Sequence, residues 1–414
     1  MKKRITAGLD LGTTKVCAII AEETENSSNI LGFGVAVSEG LQRGLVANIT
    51  KTAEAIRTAM DIACNRADIK IKDVNVGVAG EHITSLRHRN YVTINNPDNE
   101  ITQHDLDRLN DDVRTIRIPA DRQILHIIPE EFSVDHEGGI ENPIGICGSR
   151  LEAVNHVVLA SIPAIQNIKK SVERAGFNVK EYVLQPIASS VSVLDENEKD
   201  LGVILIDIGG GTTDIAVFHN KSIKHTKVIG VAGNQVTNDI RESLGIITND
   251  AEQLKREYGY ATESAIIKDE DIYIQGVGAR GNIKIPISLL TQIIGVRMKE
   301  LFSIIDNDLR QTGFKTKAKA GIVLTGGGSL LRGCTDLAEE VFGLPTRIGV
   351  PQDLGTGLSS EIESPEFSTA AGLIKGIPGS TVEVTTVKKG RISTGSSFNF
   401  SKVIKKVQEF FDEL

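Results

Sequence analysis

The sequence predicts an α/β fold built twice over, two similar halves facing a shared cleft, on three observations. An apolar run from Val203 to Ile206 is closed by Asp207; Gly209, Gly210, Gly211, Thr212 and Thr213 follow, then Asp214 and a second apolar run, Ile215 to Phe218. Residues 5–20 repeat the plan: Asp10 closes a strand, Gly12, Thr13 and Thr14 turn the chain, and Lys15 leads into the next apolar run. A third cluster, Gly326, Gly327 and Gly328, lies between the strand-like 321–325 and a helical pattern from Leu337. Short apolar runs around a glycine-rich break read as strands joined by a tight turn. Two such acid-closed hairpins about 200 residues apart read as a duplication.

The turns have a chemical use. Glycines at 209, 210 and 211 can take positive φ, and they lack the Cβ that would keep a ligand from the backbone. Consecutive N–H groups in such a turn form a concavity for phosphate-like anions. Thr212 and Thr213 add hydroxyl donors, and Lys15 adds a point charge suited to a β- or γ-phosphate. Asp207, at a strand end, is placed to hold a hydrated Mg2+ over those phosphates. The strand, glycine turn and helix start at 321–337 form a further docking place for an anion or nucleotide. The plain alternative for one such turn is a glycine-rich hairpin with no ligand; three in one chain favour a nucleotide between the halves.

The motifs Asp-Leu-Gly-Thr-Thr-Lys, Asp-Ile-Gly-Gly-Gly-Thr-Thr-Asp and Leu-Thr-Gly-Gly-Gly-Ser resemble the two phosphate loops and the adenosine loop of the actin, sugar-kinase and heat-shock-chaperone ATPase superfamily. Residues 185–190 (Gln-Pro-Ile-Ala-Ser-Ser) and 368–373 (Ser-Thr-Ala-Ala-Gly-Leu) resemble its two connecting helices. Within it the chain resembles the FtsA family of bacterial cell-division proteins, through 324–328, the run His225–Asn234 and the C-terminal segment. The resemblance implies a duplicated actin-like ATPase fold, with two halves around a nucleotide cleft, an inserted small αβ subdomain and a C-terminal amphipathic helix. It implies that Gly12 to Lys15, Gly209 to Asp214 and Gly326 to Ser329 surround ATP, with Asp10 and Asp207 on the water shell of Mg2+. Gly233 and Asn234 follow the third strand of the second half, where the superfamily places a phosphate-contacting glycine. Glu252 and Lys255 share a helix face. They read either as a solvated ion pair worth a few tenths of a kcal/mol or, by the resemblance, as neighbours of the ribose and adenine. Gln185 reads either as a cap of the first connecting helix or as the residue that orients an attacking water.

At 414 residues the chain is long enough for two or more cores. A net charge of −8, no Trp and few aromatics argue against a nucleic-acid binder. Cys17, Cys64, Cys147 and Cys334 are scattered, which argues against zinc and structural disulfides and for a reducing compartment. Met1 to Arg4 is basic, but Asp10 and Lys15 interrupt the apolar stretch after it, so a signal peptide is not expected. No apolar run reaches the roughly 20 residues that span a bilayer.

Taken in order, strands are expected at 5–9, 16–21, 30–37 and 74–79, and a helix from Asn48, its cap, to Ala63. Residues 84–162 carry none of the phosphate signatures and read as an inserted subdomain, with an acidic helix at 102–113, strands at 123–134 and 153–159, and a loop at 136–148. The resemblance gives this block to self-association and to contacts with other division proteins. Pro163 to Gly176 has a helix's start and stop signals, and a strand at 179–184 meets Gln185. The expected domains are 1–83 with 163–200, the insertion 84–162, a second half 201–376 with a lid at about 232–302, a linker 377–397 and the segment 398–414. In FtsA proteins the lid carries the surface for FtsZ. Residues 287–309 read as a long amphipathic helix.

The last segment carries four of the chain's twelve Phe. At ~100° per residue, Phe400, Val403, Ile404, Val407, Phe410, Phe411 and Leu414 fall within an arc of about 120°, opposite Lys402, Lys405, Lys406, Glu409, Asp412 and Glu413. A helix docked on the body is the plain reading. The Gly-, Ser- and Thr-rich linker before it, reaching on the order of 25 Å as a coil, favours a tethered helix lying in a membrane interface. FtsA members end in such a helix. The expected function is therefore that of an ATP-binding, self-associating protein that anchors FtsZ filaments to the cytoplasmic face of the membrane at the division site and helps assemble the septal ring. A pilus-assembly relative lacks a reason for the amphipathic end. A small-molecule kinase needs a base aspartate facing a pocket, which no motif declares. A chaperone needs a further domain after residue 373.

Overall fold

A computed structural model of the chain describes residues 4–23, 28–276 and 281–376; the linker and the amphipathic segment 398–414 lie outside them. Two sheets carry the duplication. In the first, the antiparallel meander Arg4–Leu11, Lys15–Glu23, Ser28–Val37 is extended beside its first strand by parallel Asp73–Val78 and then Asn178–Leu184. In the second, the meander Val203–Ile208, Thr213–His219, Ser222–Ile229 is extended in the same way by parallel Ile322–Thr325 and then Thr346–Ile348. The strand order is the same in both, except that a short strand at 354–357 joins the outer edge of the first. Register matches too: Asp10 pairs with Cys17 and Asp207 with Asp214 at the ends of equivalent hairpins. Val203–Ile208 is buried at every residue. A strand covered on both faces has no polar side to show, and so its sequence does not alternate.

Helices cover the sheets. Asn48 caps Ile49–Ala67, its side-chain oxygen accepting from the Lys51 N–H at 3.1 Å, which satisfies one of the free donors at a helix start. Ile162–Ala175 has Pro163 in its first turn and stops at Gly176, φ 101°, a left-handed conformation that glycine adopts without strain. Ile287–Gln311 lays Leu290, Ile294, Met298, Leu301, Phe302, Ile305 and Leu309 onto the second core at helical spacing.

The block 84–162 forms a separate four-stranded sheet, ordered Thr84–Thr93, Arg150–Ser161, Arg122–Val134, Glu137–Ile140, with the helix Gln103–Val113 packed on it. Two features differ from expectation. The span 136–148 contains a short strand as well as loop, and 84–93 is a ten-residue strand whose mixed composition had given no apolar signal.

The connecting helices Gln185–Val193 and Ser368–Lys375 cross in contact. A Cβ on Gly372 would overlap the Ala188 carbonyl. The Ser192 hydroxyl donates to the Ser368 carbonyl at 2.7 Å, and the Ser189 and Thr369 hydroxyls share a hydrogen bond of 2.9 Å. Small residues let the two backbones approach, and buried hydroxyls pair across the crossing.

Candidate functional site

The two meanders present their hairpin turns to each other across a cavity of about 750 Å³. From the first half come Asp10, Gly12, Thr13, Thr14 and Lys15; from the second, Asp207, Gly209, Gly210, Gly211, Thr212 and Asp214, with Gly326, Gly327 and Gly328 alongside. Gly233, Asn234, Glu252, Lys255 and Gln185 complete the expected set. Two expected residues do not line it. The Thr213 hydroxyl points away and donates to the Val231 carbonyl at 2.8 Å, because successive strand residues alternate faces. The Ser329 hydroxyl turns back onto its own loop and donates to the Gly326 carbonyl at 2.8 Å.

Glycines 209–211 do not take positive φ; what they supply is room. A Cβ on Gly210 would overlap the Thr14 hydroxyl, and one on Gly211 would overlap Thr13. Gly209 N–H closes the turn on the Thr212 carbonyl at 2.9 Å, while Gly233 and Asn234 N–H donate to the carbonyls of Gly209 and Gly210 at 3.1 and 2.8 Å. The start of the helix Gly233–Leu244 is thus tied to the second turn. Only in the third cluster does conformation matter as well: Gly326 has φ 80°, and a Cβ there would overlap Asp207.

Three buried aspartates dominate the electrostatics. Burial, and then the Asp207 charge, push Asp10 up to about 7, with Lys15 opposing. Asp207 is also raised by burial, against hydrogen bonds from Ser189 Oγ at 2.6 Å and Thr369 Oγ1 at 3.2 Å and the charge of Lys15. Asp214 is raised well above the ordinary carboxylate value by burial and by Asp207. Thr212 donates to one of its oxygens at 3.1 Å; the other, Oδ1, is buried without a partner among the described residues. Unpaired buried carboxylates are costly, and a cation nearby would relieve them. Among the described residues no three His, Cys, Asp or Glu side chains are arranged to bind a metal directly. Burial beside Asp10 likewise pushes the Cys17 thiol up to about 12, so Cys17 is not a nucleophile.

Gln185 is the first residue of its helix and its side chain makes no cap; its Nε2 donates to Asp10 Oδ1 at 2.9 Å. Glu252 and Lys255 are not a solvated pair. Lys255 Nζ, mostly buried, donates to Glu252 Oε2 at 2.7 Å, to Thr237 Oγ1 at 2.8 Å and to the Gly233 carbonyl at 3.1 Å. Burial lowers its pKa, with Glu252 opposing. Beyond the expected set, Arg256, Gly259, Met298, Leu330, Leu331 and Arg332 line the same end of the cavity. Glu366 and Phe367 line it near Lys15; they directly precede the second connecting motif, which was the available signal. His126 was missed altogether. It reaches from the insertion, and its Nε2 accepts from the Leu184 N–H at 3.0 Å just before Gln185. Burial holds that imidazole down at about 4, in the neutral form that can accept.

Doubled meanders with facing turns and two crossing helices define the actin-like class. Solved structures agree on the fold: a PilM–PilN type IV pilus biogenesis complex (TM-score 0.66, 17% identity, 89% of this chain and 97% of that one) and MreB5 of Spiroplasma citri bound to ADP (TM-score 0.55, 16% identity, 89% and 94%). Family models described as "Cell division protein FtsA" and "SHS2 domain inserted in FTSA" match residues 204–372 and 80–159. Proteins named Cell division protein FtsA from Neisseria meningitidis and Escherichia coli are 43% and 36% identical, over 90% of this chain and 90% of each of theirs. The chain belongs to the FtsA family of cell-division proteins.

Proposed function

We propose that this chain binds ATP with Mg2+ in the cleft, self-associates, and tethers FtsZ filaments to the cytoplasmic face of the membrane at the division site, where it helps assemble the septal ring. The observation that carries the nucleotide reading is the meeting of two aspartate-closed turns and a third glycine loop around one cavity. Turn amides and Lys15 suit phosphates, and the end lined by Glu252, Lys255, Met298 and Leu331 suits a nucleoside. Asp10 and Asp207 would hold Mg2+ through its water shell, and the ion would neutralise phosphate charge. Gln185, directed at Asp10 from the cavity wall, is the candidate to orient water for slow hydrolysis.

Family membership supports the division role. The sequence of 398–414 supports membrane attachment: its apolar arc and lysine-bearing face suit an anionic interface. Among the described residues no helix is long and apolar enough to cross a membrane. One short helix binds weakly, whereas a polymer presenting many gains by avidity. The insertion is the candidate surface for self-association and for other division proteins, and the lid at about 232–302 is the candidate for FtsZ.

Co-sedimentation of purified chain with FtsZ and anionic vesicles, with and without ATP and Mg2+, tests the reading. FtsZ should pellet with vesicles only when the chain is present, and ATP should strengthen it. Deleting 398–414, or Phe411→Glu, should abolish vesicle pelleting and leave ATP binding intact. A truncated chain that pellets with vesicles as the parent does would sink the membrane assignment.

A further inference from the structure

Lys15 is the cation that faces the aspartate cluster, lowering the pKa of both Asp10 and Asp207. Its ammonium is already engaged: Nζ lies 2.8 Å from Glu366 Oε2 and 3.9 Å over the Phe367 ring. Those two residues sit on the turn Pro365–Phe367, which runs straight into the connecting helix Ser368–Lys375. The turn is fixed from both halves. The Pro365 carbonyl accepts from Gly326 N–H at 3.1 Å and from the Thr325 hydroxyl at 3.3 Å, and the Phe367 ring meets Phe33 edge-on at 6.1 Å. The other lysine of the cavity, Lys255, is held by Glu252, Thr237 and the Gly233 carbonyl.

The geometry points to Glu366 as a built-in competitor for the terminal phosphates: its carboxylate holds the Lys15 ammonium, and a polyphosphate entering the cleft must take the lysine from it. The inference rests on the proposed binding of nucleotide in this cleft. A polyphosphate carries more charge than one carboxylate and wins the lysine, but the displaced Glu366 then adds a negative charge beside it. Glu366 is about a third exposed, at 34%, so the freed side chain can turn to water. The exchange subtracts from phosphate affinity, and it occurs at the root of a connecting helix. A merely positioning role for Glu366 makes the opposite prediction, since a lysine without its guide would bind phosphate less well.

The test is calorimetric titration of the full chain and of Glu366→Gln with ATP and Mg2+ and with adenosine. The variant keeps the shape and loses the charge. ATP should bind roughly fivefold more tightly to it, the size of a surface ion pair at the upper end, and less so at high salt. Adenosine affinity should be unchanged, and Glu366→Ala should move in the same direction. In a Lys15→Met background the gain should shrink to the part due to repulsion between the Glu366 charge and the phosphates, because there is no lysine to release. Equal or weaker ATP binding by Glu366→Gln, with a parent that binds, overturns the competitor role alone, as does a gain of undiminished size in the Lys15→Met background. A parent that does not bind ATP overturns the nucleotide reading and this inference together.

Discussion

Counted from the aspartates at their bases, Thr13, Thr14 and Lys15 of the first turn occupy the places that Gly210, Gly211 and Thr212 occupy in the second. The scaffolds match in strand order and register, yet their contents are opposite. The first turn presents side chains and a positive charge; the second presents backbone and space, with a second acid, Asp214, where the first has Cys17. The missing side chains of Gly210 and Gly211 leave the room that Thr14 and Thr13 fill. Duplication supplies two equivalent frames, and divergence at two positions, Gly210 and Gly211, lets them close on each other. A site made this way belongs to neither half, and substitutions on each side separate the properties that depend on one half from those that depend on the other.

The largest effect is expected where bulk is added to the side that provides room. Gly211→Val should destabilise the chain by roughly 2–3 kcal/mol, as over-packing does, and abolish ATP binding. Urea unfolding and ATP titration measure the two. Thr13→Gly in the same chain should recover part of both losses. Failure of that second change to help would mean that the glycines serve something other than the facing turn.

Next comes the metal side. Asp207→Ala should weaken Mg2+-dependent ATP binding at least about tenfold, the cost of roughly 1.4 kcal/mol from a lost charged partner. A Mg2+ titration of the variant indistinguishable from the parent's would remove Asp207 from the site.

Asp10 offers a smaller, pH-dependent effect. Its carboxyl titrates at about 7 in the folded chain against 3.8 as the ordinary value, so between these limits the folded state binds more protons than the unfolded one. Its contribution to stability is therefore fully present below about pH 4 and is lost as pH rises through about 7. Without nucleotide or Mg2+, Asp10→Asn should match the parent's stability at acid pH and exceed it increasingly toward pH 7.5. Thermal unfolding of both at pH 4.5 and 7.5 reads the difference. A constant gap between the two curves would show that Asp10 ionises normally.

The repeated hairpins, the third glycine cluster and the connecting helices were legible because each rests on local pattern: apolar runs, glycine and an acid at a strand end. What was not legible depends on distance. Glu366 reaches Lys15 across 351 positions, and His126 reaches Leu184 across 58; no periodicity announces either. Strand 84–93 was hidden because Arg87, His88, Arg89 and Asn90 dilute its alternation. For the glycines, the expected positive φ is absent, and the room they leave for the facing loop makes no mark on the sequence nearby.

The smallest expected effect separates residues that share a motif but not a face. Thr212 lines the cavity and donates to Asp214, whereas its neighbour Thr213 is buried against Val231. Thr213→Val keeps the shape and the strand preference and removes one hydrogen bond, leaving the Val231 carbonyl with one partner fewer. That should cost about 1 kcal/mol of stability with ATP affinity unchanged. Ser329→Ala should behave alike, because its hydroxyl serves the Gly326 carbonyl of its own loop. Thr212→Val, in contrast, takes from Asp214 its only hydroxyl donor among the described residues and should alter ATP binding while costing comparable stability. Paired urea and ATP titrations of the three variants decide the matter. If Thr213→Val weakens ATP binding as much as Thr212→Val does, the second turn acts as one unit, and the assignment of ligand contacts by face is wrong.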